Sequence, residues 1–524
     1  MRPSIPLGDL LRSAYADAAH DAQLPRYRVL YAAIREAILD HRLAPGTKLP
    51  STRELARDLD LSRNTVLSTF DGLLAEGYLE ARTGSGTYVA KGAAAPRARA
   101  SRGARERAAS GSAAPMPMPT LSRRGSRLAA FAGGRDYEIL PLSGGEPDFS
   151  LFPIRQWQRL HSRHLRQGKA ELLDYGSQGG YRPLRRAIAD YVRVSRAVNA
   201  DVEQVIVTGG TQHSLDLAAQ LLADAGDVAW VEDPCYWGAR CVLQTRDLRL
   251  EPVAVDDEGM NPDAAAPGSA PRLIYVTPSN QYPLGVAMSL ARRRLLLDIA
   301  ARSRAWILED DYDSELRYSG RPLASLQGMD RGQRVIYFGT FSKVLYPGIK
   351  VGYLVVPPAL VEAFRNALYD LQRPGQLTVQ AALAEFIERG YFMTHLRRVR
   401  QAYAEQRELL AATLKPLEDQ GISLSSQPSG LHLVVRLPPH VDDRALAARA
   451  AERGVLVRAL SSYALGAPRA CGLVVGYGYA PADQIVDHGR RLVGVIRDAA
   501  RPNGRSGAAA NFAPRGPGAL RRSA

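Results

Sequence analysis

Lysine is scarce in this chain, and one lysine stands where it could do covalent chemistry. The sequence contains six lysines beside 62 arginines. Lys343, in GTFSKVLYPGIKVGYLV, closely follows the apolar run RVIYF, which is typical of a strand. A side chain that forms a Schiff base must be a lysine, because arginine does not readily lose its proton. Lys343 is therefore the candidate nucleophile, and the neighbouring Thr340 and Ser342 offer hydroxyls to a phosphate.

Three further segments carry residues that could hold a phosphorylated pyridine. Asp310 lies near the end of AWILEDD, and a carboxylate under a pyridine nitrogen keeps it protonated, which makes pyridoxal phosphate an electron sink. Tyr312 could bond the cofactor's phenolic oxygen, and Tyr236 could stack on its ring. The run VIVTGGTQHS predicts a strand, a turn and a helix start. The free N–H groups and dipole of that helix suit a phosphate, held at Gly210, Thr211 and Gln212.

Each of these residues also has an ordinary structural explanation. Asp310 could cap a loop, a glycine-rich turn often precedes a helix, and an aromatic residue such as Tyr236 is usually packed in a core. Their order along the chain carries more information than any one residue. A phosphate turn, a stacking aromatic residue, an Asn-Pro-like segment, an aspartate and a lysine follow one another in an order that resembles the fold-type-I aminotransferase pattern, and they converge on one ligand. Together they predict a site for pyridoxal 5′-phosphate.

The candidate cofactor residues follow short apolar runs, typical of strands, that are separated by helical patterns. Strands that alternate with helices indicate an α/β domain with a mostly parallel sheet. Such sheets place ligands beyond the carboxyl ends of their strands, where these residues stand. The predicted strands lie within 205–210, 228–233, 272–278, 305–311 and 334–340.

Residues 24–90, which we call the head, have the pattern of a small DNA-binding domain. A helical face in LPRYRVLYAAIREAIL is followed by two predicted helices in PSTRELARDLDLSRNTVLSTFDGLL. Ser51 or Thr52 can cap the first of these two helices, and Ser62 can cap the second. Two short strands around residues 83–86 predict a β-wing. The expected buried face of the second capped helix consists of Val66, Leu67, Phe70, Leu73 and Leu74.

The head resembles the GntR-type winged helix along its whole length, through PGTKLPSTRELA, LSRNTV, EGYLE and GSGTYV. The alternative is a generic three-helix bundle whose polar residues are only solvated. The resemblance implies a double-stranded DNA operator as partner, since such a domain presents the start of its second helix to the groove. The candidate DNA contacts are Ser51, Thr52, Arg53, Arg63, Asn64, Thr65, Arg82 and Gly84.

The rest of the chain resembles fold-type-I, class I/II aminotransferases, and the whole chain is similar to the MocR subfamily of GntR-type regulators. The segments that carry the resemblance are LDYGSQGGYRPLRRAIADYV, TPSNQYPLG, LEDDYDSELRYSGRPLASLQ and GTFSKVLYPGIKVGYLV. The resemblance implies a Schiff base on Lys343 and a homodimer in which Tyr175 reaches the phosphate across the interface. Tyr282 stands where aminotransferases have the asparagine that contacts the ring oxygen, which favours a regulator over a metabolic enzyme.

Two positions depart from the family pattern. Lys350 stands where the family usually has an arginine on the cofactor phosphate; it keeps the charge and loses the bidentate fork, so phosphate binding should survive. The arginine that aminotransferases use for a substrate carboxylate aligns with Val474. Arg458 or Arg240 could substitute, although each is more often a surface or structural residue. We leave open whether the effector is a conventional amino acid, and do not expect efficient transamination.

Composition and the distribution of charge indicate where the domain boundaries lie. The 524 residues, 46% hydrophobic, predict more than one globular domain. Thirteen of the fifteen net positive charges lie within 91–128 and after 500, where small residues, proline and arginine predominate. These charges could attract DNA phosphates or only increase solubility. The expected segments are an N-terminal extension (1–23), the winged-helix head (24–90), a flexible basic linker (91–130), the aminotransferase-like body (131–500) and a disordered basic tail (501–524).

The sequence shows no signal-peptide layout, no apolar run of the ~20 residues that span a bilayer, and no metal-ligand spacing. We expect a bacterial cytoplasmic protein, associated with the nucleoid when bound to DNA. The predicted function is transcription regulation: an amine or amino-acid-like effector replaces Lys343 in the Schiff base and re-spaces the heads of a dimer. The alternatives are an active aminotransferase with a DNA-binding appendage and an architectural DNA-binding protein with an inactive cofactor domain.

Overall fold

The computed structural model divides the chain into two compact units, Met1–Pro119 and Thr120–Ala524. The predicted tail and most of the predicted linker lie outside the residues that the structure describes. Those described residues are 7–18, 24–92, 121–130, 140–176, 178–320, 323–373, 375–466, 470–479 and 481–500.

The first unit is a winged helix preceded by one further helix. Strands β1 and β2 form an antiparallel hairpin in which Leu79 pairs with Val89 and Arg82 with Gly86. The predicted winged helix is present. Its elements are α1 (Leu7–Ala18), α2 (Arg26–Leu39), α3 (Thr52–Asp58), α4 (Arg63–Ala75), β1 (Leu79–Arg82) and β2 (Gly86–Val89).

One hydrophobic cluster holds this unit together. Helix α1, in the segment predicted only as an extension, contributes the fully buried Leu11. The expectation that Leu67 is buried is wrong, since its side chain is 45% exposed. The buried stripe of α4 has helical spacing at Val66, Thr69, Phe70 and Leu73, and Leu67 lies outside that stripe.

Helix α5 (Arg123–Ala130) lies within the range predicted as a flexible linker, and there the structure differs from that expectation. Arg124 forms an ion pair of 2.9 Å with Asp247 in the same unit, and Arg127 contacts the same carboxylate. Their hydrogen bonds lower the pKa of Asp247. The end of the predicted linker is thus attached to the body.

The body (131–500) contains an eight-stranded sheet in the order β3-β10-β9-β8-β7-β4-β5-β6. Strands β4, β5, β7, β8 and β9 pair in parallel, β10 runs antiparallel to both of its neighbours, and β6 forms a hairpin with β5. The five predicted strands correspond to β3, β4, β7, β8 and β9, which confirms the mostly parallel α/β sheet. The strands are β3 (Val205–Thr208), β4 (Val228–Asp233), β5 (Arg249–Asp256), β6 (Gly259–Met260), β7 (Leu273–Val276), β8 (Trp306–Asp311), β9 (Val335–Thr340) and β10 (Gly352–Val355).

A second, antiparallel sheet follows in the order β11-β12-β14-β13. It consists of β11 (Ser423–Leu424), β12 (His432–Arg436), β13 (Arg458–Ala459) and β14 (Gly472–Gly476). Helices pack against both sheets. Strands β3, β7, β9 and β10 of the large sheet are buried along their whole length, as expected for continuous apolar runs. The body helices are α6 (Ile154–Gln167), α7 (Ala170–Leu173), α8 (Arg182–Arg196), α9 (Thr211–Leu222), α10 (Trp237–Thr245), α11 (Leu290–Ser303), α12 (Leu326–Met329), α13 (Val361–Ala367), α14 (Leu377–Glu388), α15 (Tyr391–Leu414), α16 (Asp443–Glu452) and α17 (Ala482–Ala500).

Among the described helices, none combines the length and the apolar character that crossing a bilayer requires.

Candidate functional site

A cavity of about 220 Å³ lies at the carboxyl ends of the parallel strands of the body. Tyr175 does not line it within the same chain: its side chain is 64% exposed, and the Arg373 guanidinium lies 4.9 Å from its ring centre. The structure brings all the other predicted cofactor residues together around this cavity, namely Gly210, Thr211, Gln212, Tyr236, Tyr282, Asp310, Tyr312, Thr340, Ser342, Lys343 and Lys350.

Lys343 reaches the cavity from the segment that follows β9. Its Nζ donates a hydrogen bond to the carbonyl oxygen of Gly145 at 2.8 Å. Gly145 has a φ of +79°, a conformation that favours glycine, and a Cβ built there would lie 3.7 Å from the lysine nitrogen. A flexible, half-buried amine is therefore held inside the cavity by a backbone acceptor.

Asp310, next to last in β8, is the buried acid of the cavity. Its Oδ2 accepts a hydrogen bond from the Tyr275 hydroxyl at 2.7 Å, whereas its Oδ1 has no hydrogen-bond partner among the described residues. Burial raises the pKa of Asp310 to about 7, against the opposing effect of the Tyr275 hydrogen bond. A buried oxygen without a partner is unfavourable, and a protonated pyridine nitrogen would satisfy it. The site therefore fits pyridoxal phosphate.

Asp311, the next residue, points away from the cavity because side chains alternate along a strand. It accepts hydrogen bonds from Arg196 Nε at 2.7 Å and from the Tyr337 hydroxyl at 2.5 Å. Although burial alone would raise it, the pKa of Asp311 is lowered, chiefly by the Arg196 guanidinium. This buried ion pair fixes the end of β8 and so directs Asp310 into the cavity.

Asn280 is a functional candidate that sequence reasoning missed. Its side-chain amide donates to the Tyr312 hydroxyl at 3.3 Å and to Asp313 at 2.7 Å. Asn280 thus orients the tyrosine predicted to contact the phenolic oxygen. The signal was present in TPSNQYPLG, but the irregular segment gave no period from which its direction could be deduced.

Tyr282 lies at the centre of an aromatic group. Its ring meets those of Tyr236 and Tyr312 edge to face, each at 5.8 Å between centres, and that of His432 at 5.2 Å. Burial lowers the pKa of His432 to about 4, so its imidazole is neutral near pH 7, and Nε2 can donate to the Pro283 carbonyl at 2.9 Å. The predicted contacts of Tyr236 and Tyr282 with the cofactor remain predictions.

The opposite end of the cavity has the features of an anion site. Gly210, whose φ is +112°, directly precedes helix α9 as its N-cap residue, and no side chain caps the helix. A Cβ on Gly352 would lie only 2.8 Å from Gly210 Cα, so β10 can approach the turn this closely only because residue 352 lacks a side chain. The Thr340 and Ser342 hydroxyls are 3.1 Å apart, and Lys350 is exposed at the cavity. A helix N-terminus, hydroxyls and an amine suit a phosphate.

Two serines, of which Ser51 is also a predicted DNA contact, cap helices α3 and α4 of the head. The Ser51 hydroxyl accepts from the Glu54 backbone N–H at 3.2 Å, and the Glu54 carboxylate accepts from the Ser51 N–H at 2.9 Å. The Ser62 hydroxyl accepts from the Thr65 N–H at 3.1 Å. The capping prediction is confirmed, and Thr52 is the first residue of α3.

The remaining candidates lie at the surface of the head. Arg53, Arg63 and Asn64 are exposed, and within the described residues neither arginine forms an ion pair. Arg82 instead pairs with Glu80 at 2.6 Å and lies over the Tyr88 ring. Gly84, with a φ of +75°, is in the turn of the wing. Arg53 and Arg63 are thus more available to DNA than Arg82.

Other cavity residues were not identified from the sequence. Most lie outside the quoted motifs or point inward from segments without a regular pattern. They include Gly144, Gly145, Glu146, Trp237, Tyr275, Thr277, Asp313 and His432.

Comparisons with known proteins agree with this architecture. Residues 26–89 match the gntR family of bacterial regulatory proteins, and residues 137–472 match aminotransferase class I and II. The chain is 42% identical to the probable rhizopine catabolism regulatory protein MocR of Rhizobium meliloti, over 87% of this chain and 91% of that protein. It is 31% identical to the pyridoxine biosynthesis transcriptional regulator PdxR of Corynebacterium glutamicum, over 86% and 92% respectively.

The body also resembles solved enzymes. The α-aminoadipate aminotransferase LysN of Thermus thermophilus, solved with N-(5′-phosphopyridoxyl)-L-leucine, superposes with a TM-score of 0.64 at 28% identity, over 72% of this chain and 99% of the enzyme. These matches confirm the expected fold, that of pyridoxal-phosphate-dependent aminotransferases. The chain belongs to the MocR-type GntR regulators, in which a winged-helix domain is joined to an aminotransferase class I and II domain.

Proposed function

We propose that this protein is a bacterial cytoplasmic transcription regulator that binds a DNA operator through its head and senses an amine or amino-acid-like effector through pyridoxal phosphate held on Lys343. The observation that carries the proposal is the pairing of Lys343 with the unsatisfied Asp310 Oδ1 in one cavity, in a chain that also has a GntR head. The relatives named as regulators support the same role.

Each cofactor group has a residue suited to it. Asp310 Oδ1 would accept the pyridine N–H, Tyr236 would cover the ring, and Tyr312 would donate to the phenolic oxygen. The start of α9 at Gly210 and the Lys350 amine would hold the phosphate. When bound, the cofactor supplies an aldehyde carbon that forms Schiff bases with primary amines.

Lys343 acts as a displaceable anchor. With the cofactor bound, an effector amine would take the place of Lys343: one C=N bond would replace another, and the released Lys343 amine would receive the effector's proton. The exchange needs neither an oxidant nor a reductant. The Gly145 carbonyl, 2.8 Å from Nζ, is an acceptor ready for the released amine. Because these cofactor-binding residues would surround the cofactor ring, such an exchange would change their packing and shift the body between two states.

A homodimer completes the proposed arrangement. The exposed Tyr175 is suited to reach a partner's cavity, as the family resemblance implies. Two heads would then contact two half-sites of an operator, with Arg53 and Arg63 at the phosphates or base edges. Their exposure and lack of ion pairs within the described residues support this assignment.

The body is tested by the visible absorption of the full-length protein. Wild type and Lys415→Ala, which removes an exposed lysine, should show a Schiff-base band with pyridoxal phosphate, and Lys343→Ala should not. Amines should then shift the band without turnover. Accumulation of an oxo-acid product would favour the aminotransferase alternative, and no band in wild type would contradict the proposal.

The head is tested by fluorescence anisotropy on DNA from the gene's own upstream region. Arg63→Ala should weaken binding at least about tenfold, whereas Arg42→Ala, in an exposed pair with Asp40, should not. Removing residues 1–90 should abolish binding. Undiminished binding by the truncated chain would refute the role of the head.

A further inference from the structure

A second pocket of the body, about 470 Å³ in volume, lies where α6 meets the turn between α14 and α15. It shares no lining residue with the cofactor cavity. None of its lining residues, among those that the structure describes, is acidic, and half of them are arginines. The proposed function does not use this pocket. The arginines are Arg159, Arg163, Arg166 and Arg389.

Three of these arginines lie on one face of α6. Arg159, Arg163 and Arg166 are four and three residues apart, and residues at these spacings are neighbours on the surface of a helix. Like charges so placed destabilise a helix, so the folding of α6 does not favour this arrangement. Arg389, which directly follows α14, adds a fourth guanidinium from another element. Two separate segments therefore bring positive charge to one pocket.

A single carboxylate compensates part of this charge. Glu385 contacts Arg163 and accepts a hydrogen bond from Arg389 Nε at 2.6 Å. Its other oxygen lies 3.0 Å from His164 Nε2. Burial lowers the pKa of His164, with a smaller contribution from the Arg163 charge, so this imidazole adds little positive charge near pH 7. Two arginines of the pocket thus share one acid.

The other two arginines, Arg159 and Arg166, have no carboxylate partner within the part of the chain that the structure describes. Both are exposed, and Arg166 Nε donates to the Ser162 carbonyl at 3.3 Å. Four guanidinium groups against the Glu385 carboxylate leave an excess of three positive charges. A guanidinium keeps its charge near neutral pH, so the ligand that suits the pocket carries several negative charges.

The first turn of α15 favours the same kind of ligand. This 24-residue helix begins at Tyr391, which lines the pocket; no side chain caps it, and its first turn contains no acidic residue. The N-terminus of a helix has free N–H groups and a partial positive charge, which attract phosphate. Arginine binds phosphate through two parallel hydrogen bonds. The helix end and the arginines therefore select the same chemical group.

We propose that this pocket binds a compact anion that carries two or more phosphate groups. One phosphate group carries at most about two negative charges near neutral pH, fewer than the three positive charges in excess, whereas a diphosphate or triphosphate can match them. The arginines surround one pocket instead of forming a stripe across the surface, which suits a small ligand better than the extended backbone of DNA. The pocket is thus a second ligand site of the body, independent of the cofactor and of the amine effector.

The test is isothermal titration calorimetry of the full-length protein with inorganic triphosphate, after pyridoxal phosphate has filled the cofactor cavity. Arg159→Gln/Arg166→Gln should weaken triphosphate binding at least about tenfold, because it removes two charge-assisted contacts. Inorganic phosphate should bind the wild type at least about tenfold more weakly than triphosphate. Since both replaced side chains are exposed, the thermal unfolding of the variant without triphosphate should match that of the wild type.

A matched control separates the pocket from general attraction of anions. Arg155→Gln/Arg186→Gln removes the same charge from two exposed positions of the body that do not line the pocket, and it should bind triphosphate as the wild type does. Both double variants retain the 13 positive charges within 91–128 and after 500. Any binding of triphosphate to those segments is therefore equal in the two variants.

Selective loss of triphosphate binding in Arg159→Gln/Arg166→Gln supports the proposal. Equal affinities in the two double variants, no binding by the wild type, or equal binding of phosphate and triphosphate would each overturn it. The alternative source of phosphate is the DNA backbone. Unchanged triphosphate affinity, together with a salt dependence of operator binding that falls by about 0.9 for each lost contact, would assign the pocket to DNA and also overturn the proposal. The cofactor band tests the sensor function separately from all these outcomes.

Discussion

Replacing Arg196 by methionine should destabilise the body by removing one half of its buried ion pair. Arg196 ends α8, and its Nε and Nη2 donate to the two oxygens of Asp311 at 2.7 and 3.2 Å. It also donates to Ser279 and to the Leu323 carbonyl. The side chains of Arg196 and Asp311 are only 4% and 0% exposed, so water cannot replace the lost partner.

The magnitude follows from that burial. Removing one partner of a buried pair leaves an uncompensated charge and costs about 3–5 kcal/mol. The double variant Arg196→Met/Asp311→Leu removes both charges and should lose less than the single variant. Arg491→Met is the matched control, because Arg491 and Asp487 are 50% and 58% exposed. Its loss should stay below about 0.5 kcal/mol.

Urea unfolding followed by tryptophan fluorescence measures the body alone, because Trp157, Trp230, Trp237 and Trp306 all lie there. The pKa of Asp311 is lowered from its usual 3.8, so the stability it contributes is present above that value and is lost as the pH falls through the folded value. The gap between wild type and Arg196→Met should therefore narrow in acid.

Two results would refute this reasoning. A loss below about 1 kcal/mol for Arg196→Met would mean that the pair contributes no more than an exposed one. A double variant as unstable as the single variant would mean that lost packing, and not the unpaired carboxylate, is the cause. A double-mutant cycle gives the coupling energy directly.

Three further predictions concern the cavity and the head. Asp310→Asn should weaken pyridoxal phosphate binding about 10- to 100-fold in a fluorescence titration, and unchanged affinity would exclude its contact with the pyridine nitrogen. Burial lowers the pKa of His432 from 6.5 to about 4, so between these pH values the unfolded chain binds more protons than the folded one. The free energy of unfolding of the wild type, measured in urea titrations, should therefore rise by up to about 3 kcal/mol from pH 4 to pH 6.5. His432→Gln should flatten this pH dependence. Ser62→Ala should lower the free energy of unfolding of the head by about 1 kcal/mol, because the Thr65 N–H loses its acceptor. The α4 amides should then exchange hydrogen faster, and unaltered exchange would show that the cap is dispensable.

The sequence by itself determined the features that depend on local chemistry. Helix caps at Ser51 and Ser62 follow from the affinity of a hydroxyl for free N–H groups one turn ahead. The five predicted strands follow from apolar runs long enough to be buried on both faces. Lys343 and Asp310 were found because each comes at the end of such a strand, and parallel strands bring their carboxyl ends together.

The tertiary structure alone decided which distant groups meet. Nothing within the sequence places Arg458 opposite Val474, since the register of a strand pair depends on the packing of both strands and on the segments between them. Asn280 against Tyr312 and Gly145 against Lys343 are also contacts between irregular segments, where no period fixes a direction. The local sequence thus identifies the residues of the site, whereas long-range packing determines which residues they contact.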